Sequence, residues 1–108
     1  MKRIETIKDS KSFNDIIKNG KFIKNNYFVI YYKDNELEKN KLGIAISNKI
    51  GKAHIRNRLK RQTRAIIDEY RNLFKNNFNY IIMIRKTCTE AEFSVMNEAF
   101  KSLLEKDR

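Results

Sequence analysis

The chain has no proline and no tryptophan, and only three glycines, one cysteine and one histidine in 108 residues. The lone cysteine, Cys88, excludes an intrachain disulfide and any cysteine-cluster zinc site. It is expected to be a small buried residue near a strand end. His54 is the only histidine, and no carboxylates are spaced to hold catalytic metal ions. Asp34, Glu36 and Glu38 fall in a polar loop, Asp68 and Glu69 belong to another element, and no nucleophile has an evident base. No apolar run approaches the ~18 residues needed to cross a bilayer. Near the N-terminus, Glu5, Lys8 and Asp9 leave no room for the apolar region of a signal peptide. A cytoplasmic protein with no membrane partner is therefore expected, with no cofactor bound by the protein alone and no protein partner indicated.

Acidic residues are missing from one region in particular. None occurs between Glu38 and Asp68, although the whole chain carries 13 against 24 Lys and Arg, for a formal net charge of +11. Within that gap, Lys49, Lys52, Arg56, Arg58, Lys60, Arg61 and Arg64 crowd into sixteen residues. Such a cluster repels itself and is best relieved by a polyanion. A solvated helix face would normally interleave Glu for i, i+4 pairs, and none is present. The cluster also favours Arg, which forks onto phosphates and stacks on bases. RNA binding is the first functional expectation.

The patterning predicts one α+β domain over residues 1–108. A short helix is expected over 9–19, capped by Asp9 or Ser10, with Phe13, Ile16 and Ile17 as its apolar stripe. Strands are expected over 21–24 and 27–33, the second aromatic and β-branched enough to be buried on both faces. After a polar loop at 34–40, residues 41–47 alternate. Leu42, Ile44 and Ile46 take one face, and Gly43, Ala45 and Ser47 the other. A turn at 48–51 leads to a long helix from Ala53 to Phe74, ended by Asn76-Asn77. A buried strand at 79–85 and an amphipathic helix at 90–105, with Thr89 as its cap, complete the order α-β-β-β-α-β-α. The expected architecture is a sandwich of helices on a four-stranded sheet.

On the long helix, Arg56, Lys60 and Arg64 recur at i, i+4, i+8 and form one basic rim, while Arg58 and Arg61 point further round. Two basic edges can engage two RNA segments. Gly51 permits a tight turn before the helix, whose N-terminal N–H groups, with Lys49 and Lys52 beside them, suit a phosphate. A second surface is aromatic. Tyr31 shares a strand face with Val29 and Lys33, the small residues Gly43 and Ala45 leave a trough beside it, and Phe13 and Ile17 form a wall. Aromatic troughs with basic rims suit single-stranded RNA. Ordinary core packing is the competing reading for Phe13 and Ile17.

The run from Leu42 to Arg64, with its Arg56-Asn57-Arg58-Leu59-Lys60-Arg61-Gln62-Thr63-Arg64 centre, resembles the signature of the protein component of bacterial ribonuclease P. Phe13, Gly20, the Phe28-to-Tyr31 strand and the Tyr80-to-Arg85 strand also match family positions. The resemblance implies a subunit of an RNA-based endoribonuclease that removes the 5′ leader from precursor tRNA, with Mg2+ held by the catalytic RNA. It implies a leader-binding cleft of Phe13, Ile17, Tyr31, Arg56, Lys60 and Arg64. It implies a surface for the catalytic RNA at Lys49, Lys52, Asn57, Arg58 and Arg61, and a left-handed βαβ crossover. The chain departs from the family's commoner residues at Ile17, Asn48 and Ala45. The alternative reading is a stand-alone, ribosome-associated RNA-binding protein with no role in cleavage.

Overall fold

A computed structural model describes residues 4–7, 10–35, 40–75 and 77–106. The expected cap Asp9, the loop acids Glu36 and Glu38, and Asn76 lie outside the described residues. The elements are β1 (Ile4–Thr6), α1 (Ser10–Asn19), β2 (Lys21–Lys24), β3 (Phe28–Asp34), β4 (Asn40–Ile46), α2 (Ala53–Glu69), β5 (Phe78–Ile84) and α3 (Phe93–Lys106). Short 3-10 turns at Arg71–Leu73 and Lys86–Glu90 precede β5 and α3. The four expected strands are joined by a three-residue fifth, and the sheet runs β1-β4-β5-β3-β2. β1 pairs parallel with β4, and β4 parallel with β5; β3 is antiparallel to both β5 and β2.

The sheet is covered on both faces, as the continuous apolar runs of β3 and β5 require. Ile81 and Ile82 are neighbours in the chain and both fully buried, and they point to opposite faces. On the Ile82 side, Phe28, Ile30, Leu42 and Ile84 pack against Leu59, Ile66 and Ile67 of α2 and Met96, Phe100 and Leu103 of α3. On the Ile81 side, α1 contributes Ile16, with Phe13 and Ile17 packed against it, over Tyr31, Ala45 and Met83.

The hand of the β4-α2-β5 connection follows from strand stereochemistry. In a strand of L-residues running upward with one side chain toward the viewer, that residue's own N–H and C=O point right. Leu42 turns its side chain toward α2, and its carbonyl accepts from the Ile7 N–H of the β1 side (3.0 Å). β1 therefore lies to the right of β4, and β5 to the left. The chain passes in front through α2 and returns on the left, a left-handed crossover and an exception to the usual rule.

Element ends differ from the periodic reading for local reasons. α2 stops at Glu69, where Tyr70 takes φ −107 and its N–H still reaches the carbonyls of Ile66 and Ile67. Tyr70 then donates its hydroxyl to Asn97, whose amide donates to Glu69, tying the end of α2 to α3. α3 begins at Phe93, later than expected, because Lys86–Glu90 form a 3-10 turn; Thr89 Oγ1 donates back to Lys86 O (2.8 Å) and does not cap the helix. Cys88 is fully buried in that turn, where its thiol donates to Tyr27 O (3.2 Å). Burial pushes this thiol up to about 11.

Candidate RNA interface

The basic helix is built from the loop that starts it. Gly51 has φ +62, a left-handed conformation in which glycine is unstrained, and a Cβ there would press on Ile55 at 3.3 Å. Ser47 Oγ accepts from the Lys49 N–H (3.2 Å), and the Ile50 N–H donates to Ser47 O (3.0 Å), closing the turn. Ile50 is buried and anchors the loop, so Lys49 and Lys52 stand outward. Lys52 occupies the cap position of α2 without a side-chain cap bond, leaving the first N–H groups of the helix open at a site with no acid in its first turn.

The buried stripe of α2 is Leu59, Thr63, Ile66 and Ile67. Thr63 lies at the centre of the stripe and is buried, whereas its neighbour Gln62 is half-buried. The Thr63 hydroxyl has no hydrogen-bond partner among the described residues. Lys60 and Arg64 are exposed on one side of the stripe, and Asn57, Arg58 and Arg61 are exposed further round. Arg56 differs from the other basic residues. It is half-buried, and its Nη1 donates to Gly51 O (2.9 Å) and Asn48 O (3.4 Å). It therefore braces the loop as well as carrying charge, a role the i, i+4 spacing gave no sign of. Arg58 reaches the other way, with Nη2 3.5 Å from Thr89 O beside the second 3-10 turn.

The aromatic surface lies on the opposite face of the sheet. Phe13, Ile17 and Tyr31 come together there with Ile81, Ala45 and Met83. Strand register sets Tyr31, Ile81 and Gly43 in one row across the sheet and Val29, Met83 and Ala45 in the next. The first row lies under α1. The second borders a groove of about 260 Å3 that runs to Ser47 and Arg85 at the strand ends. Lys33 leans back onto α1, its Nζ 2.6 Å from Asp15 Oδ2. The hydrogen bond from Lys33, with another from Asn19, holds the Asp15 carboxyl below its ordinary range.

The two groups of expected site residues thus occupy opposite faces. Phe13, Ile17 and Tyr31 form one cluster, while Arg56, Lys60 and Arg64 sit on a helix packed against the other side. The link between them is the Ser47–Lys52 loop, which leaves the mouth of the groove and becomes the start of α2. One more aromatic residue, outside the expected site, lies on the cleft face: Phe22 of β2, whose ring centroid lies 5.7 Å from that of Tyr31. Its alternation with Ile23, a partner of the opposite core, was the available signal. Among the described residues, no three His, Cys, Asp or Glu side chains are grouped so as to hold a metal ion. No described helix is long and apolar enough to cross a membrane.

Comparison with known proteins gives a uniform result. The Ribonuclease P family profile matches residues 1–107. The chain is 41% identical over 108 residues to the ribonuclease P protein component of Mycoplasma capricolum, covering 96% of each chain. It is 33% identical over 100 residues to that of Syntrophomonas wolfei, covering 93% of this chain and 84% of the relative. Among solved structures, the ribonuclease P protein of Thermotoga maritima superposes with a TM-score of 0.85 at 30% identity, over 94% of this chain and 96% of that one. The Staphylococcus aureus protein superposes with a TM-score of 0.88 at 25% identity, over 98% and 97%. The profile match over nearly the whole chain, the sequence relatives and the shared fold agree: this chain belongs to the ribonuclease P protein family, the protein subunit of a tRNA-processing endoribonuclease.

Proposed function

We propose that this subunit holds the catalytic RNA of ribonuclease P with the exposed edges of α2 and holds the single-stranded 5′ leader of precursor tRNA in the cleft under α1. Lys49, Lys52, Asn57, Arg58 and Arg61 contact the RNA subunit. Phe13, Ile17 and Tyr31 receive the leader, and Arg56, Lys60 and Arg64 steer its phosphates. The RNA supplies the reaction with its Mg2+; the protein's contribution is binding energy and orientation. This work belongs in the cytoplasm, where tRNA is processed. A ribosome-associated protein is not favoured, because the matched relatives are ribonuclease P protein components.

The observation that carries the leader assignment is the composition of the cleft. Phe13, Ile17 and Tyr31 pack on one sheet face with Ala45 and Met83, the Phe13 ring fills the space over Gly43, and the groove beside them, floored by Ala45 and Met83, ends at the loop from which the basic helix starts. An aromatic trough opening onto a cationic loop suits an unpaired strand, since every base has a face to stack and every nucleotide a phosphate. The test is Tyr31→Ala in the assembled particle. Precursor tRNA should bind about tenfold more weakly, within the range for loss of one base–aromatic stack, and mature tRNA should bind as before. Equal losses for both would make Tyr31 a packing residue and place the leader elsewhere.

A further inference from the structure

Phe22 is the most exposed large apolar side chain among the described residues, at 55%. It lies on β2, an edge strand of the sheet, directly opposite Tyr31 in the β2–β3 register. The two rings are tilted at 45° with centroids 5.7 Å apart. Phe22 therefore continues the Tyr31-Ile81-Gly43 row to the rim of the sheet, on the face that carries the cleft. One step along, Lys24 stands opposite Val29 and extends the second row with an exposed ammonium.

An exposed apolar ring on an edge strand invites another strand to pair with it. Here β2 is only four residues long and is flanked by charge at both ends, reading Lys21-Phe22-Ile23-Lys24, with both lysines exposed. Short, lysine-bearing edges resist strand pairing by a protein. The same lysines attract a polyanion, and the ring gives it a stacking face. Tyr31 contacts one side of Phe22 and sets its orientation, so little side-chain entropy remains to be lost on binding.

We infer that Phe22 is an additional base-stacking position that carries the leader path past Tyr31 to the edge of the sheet, with Lys24 as its phosphate contact. The inference rests on the leader-binding reading above and extends it to a residue outside the cleft. From Gly43 to Phe22 the row crosses four strands, roughly 14 Å at the usual strand spacing. The Phe22 and Tyr31 rings lie 5.7 Å apart, so the nucleotide on Phe22 is the neighbour of the one on Tyr31.

The experiment uses the full chain assembled with its RNA subunit and a series of precursor tRNAs, each carrying 2-aminopurine at one leader position. Its fluorescence rises when the base unstacks. With Tyr31→Ala one position should brighten; with Phe22→Ala the adjacent position should brighten, and precursor affinity should fall by about fivefold, toward the low end of a base–aromatic stack. Phe22→Trp should retain the wild-type signal, whereas Phe22→Leu, which keeps apolar bulk without a stacking face, should behave like Phe22→Ala. Brightening at no position with Phe22→Ala, or only at the Tyr31 position, would overturn the inference and leave Phe22 as a prop for Tyr31. A shift in the self-association of the free chain with unchanged precursor affinity would also overturn it, in favour of a contact between copies. If Tyr31→Ala itself brightens nothing, the leader reading fails first, and the two failures are told apart.

Discussion

The ring of Phe13 fills the space that a side chain on residue 43 would need: a Cβ on Gly43 would stand 2.6 Å from Phe13 Cζ. The wall and the floor of the cleft are thereby fitted to each other, and the absence of a side chain on β4 determines how close α1 approaches the sheet. Gly43→Ala should displace Phe13 and loosen α1, at a cost of about 1–3 kcal/mol for overpacking a fitted contact. Thermal unfolding measures that loss. Binding to precursor tRNA should fall more than binding to the RNA subunit alone, because α2 is anchored on the other face. Equal losses would show that the whole fold had been damaged.

Arg56 and Lys60 share one rim of α2 but not one role. Arg56→Ala removes the Nη1 that donates to the carbonyls of Gly51 and Asn48 and should destabilise the chain by about 1 kcal/mol, on top of its effect on RNA. Lys60→Ala should weaken RNA binding and leave the melting temperature in place. Arg56→Lys should restore charge without restoring stability, since the lysine ammonium does not reach the position from which Arg56 Nη1 donates to the Gly51 and Asn48 carbonyls. Denaturant titration of the three variants decides the matter; identical stabilities would mean that the loop holds itself.

Arg58→Ala and Arg61→Ala should each weaken binding to the catalytic RNA by about 1–2 kcal/mol, the scale of a charge-assisted hydrogen bond. Both side chains are exposed, so the fold should be little changed. Unaltered affinity with a lowered melting temperature would move these residues from the interface to the scaffold.

Binding to the catalytic RNA should depend steeply on salt. If about five phosphates are neutralised, log K should fall against log salt with a slope near −4. A slope near −1 would mean that the charge is spread over the surface and not focused at the helix.

Cys88 gives the fold a pH dependence of known sign. Its thiol is held neutral by burial, with its folded value raised to about 11 from an ordinary 9.0. The contribution is fully present below pH 9. It is lost as pH rises from 9 to 11, where the unfolded chain releases the proton and the folded chain keeps it. Stability should decline across that window, and Cys88→Ala should remove part of the decline. Alkylation at neutral pH should likewise be slow until the chain unfolds; rapid labelling of the native protein would contradict the burial of this thiol.

What the sequence reveals here is whatever repeats along it. The alternation from Leu42 to Ser47 fixed both faces of β4, and the acid-free run fixed the basic edges of α2. β1 was missed because three residues carry no period, and their strand exists only through pairing with Asn40–Leu42, more than thirty residues away. The bracing role of Arg56 was hidden for a similar reason: its partners are main-chain carbonyls, which look alike at every residue. Phe22 alternates with Ile23, yet which of the two faces α1 depends on the pairing of β2 with Tyr31 and Ile30 of β3, which no local pattern encodes. The clustering of Phe13, Ile17 and Tyr31 was foreseen, since helix and strand periods each put them on the right side. Their separation from α2 by the thickness of the sheet is a property of the crossover, which no local pattern encodes.

The back-to-back burial of Ile81 and Ile82 has a mechanical consequence. Neither helical layer packed on the central strand can slide without opening a cavity against its own isoleucine. The sheet then acts as a fixed gauge between two grips. On the proposed reading, an RNA along α2 and a leader strand on the α1 face would be held on opposite sides of one rigid sheet. If both sites are occupied as proposed, a chain of 108 residues would work as a ruler, and what it would contribute to its particle is a distance.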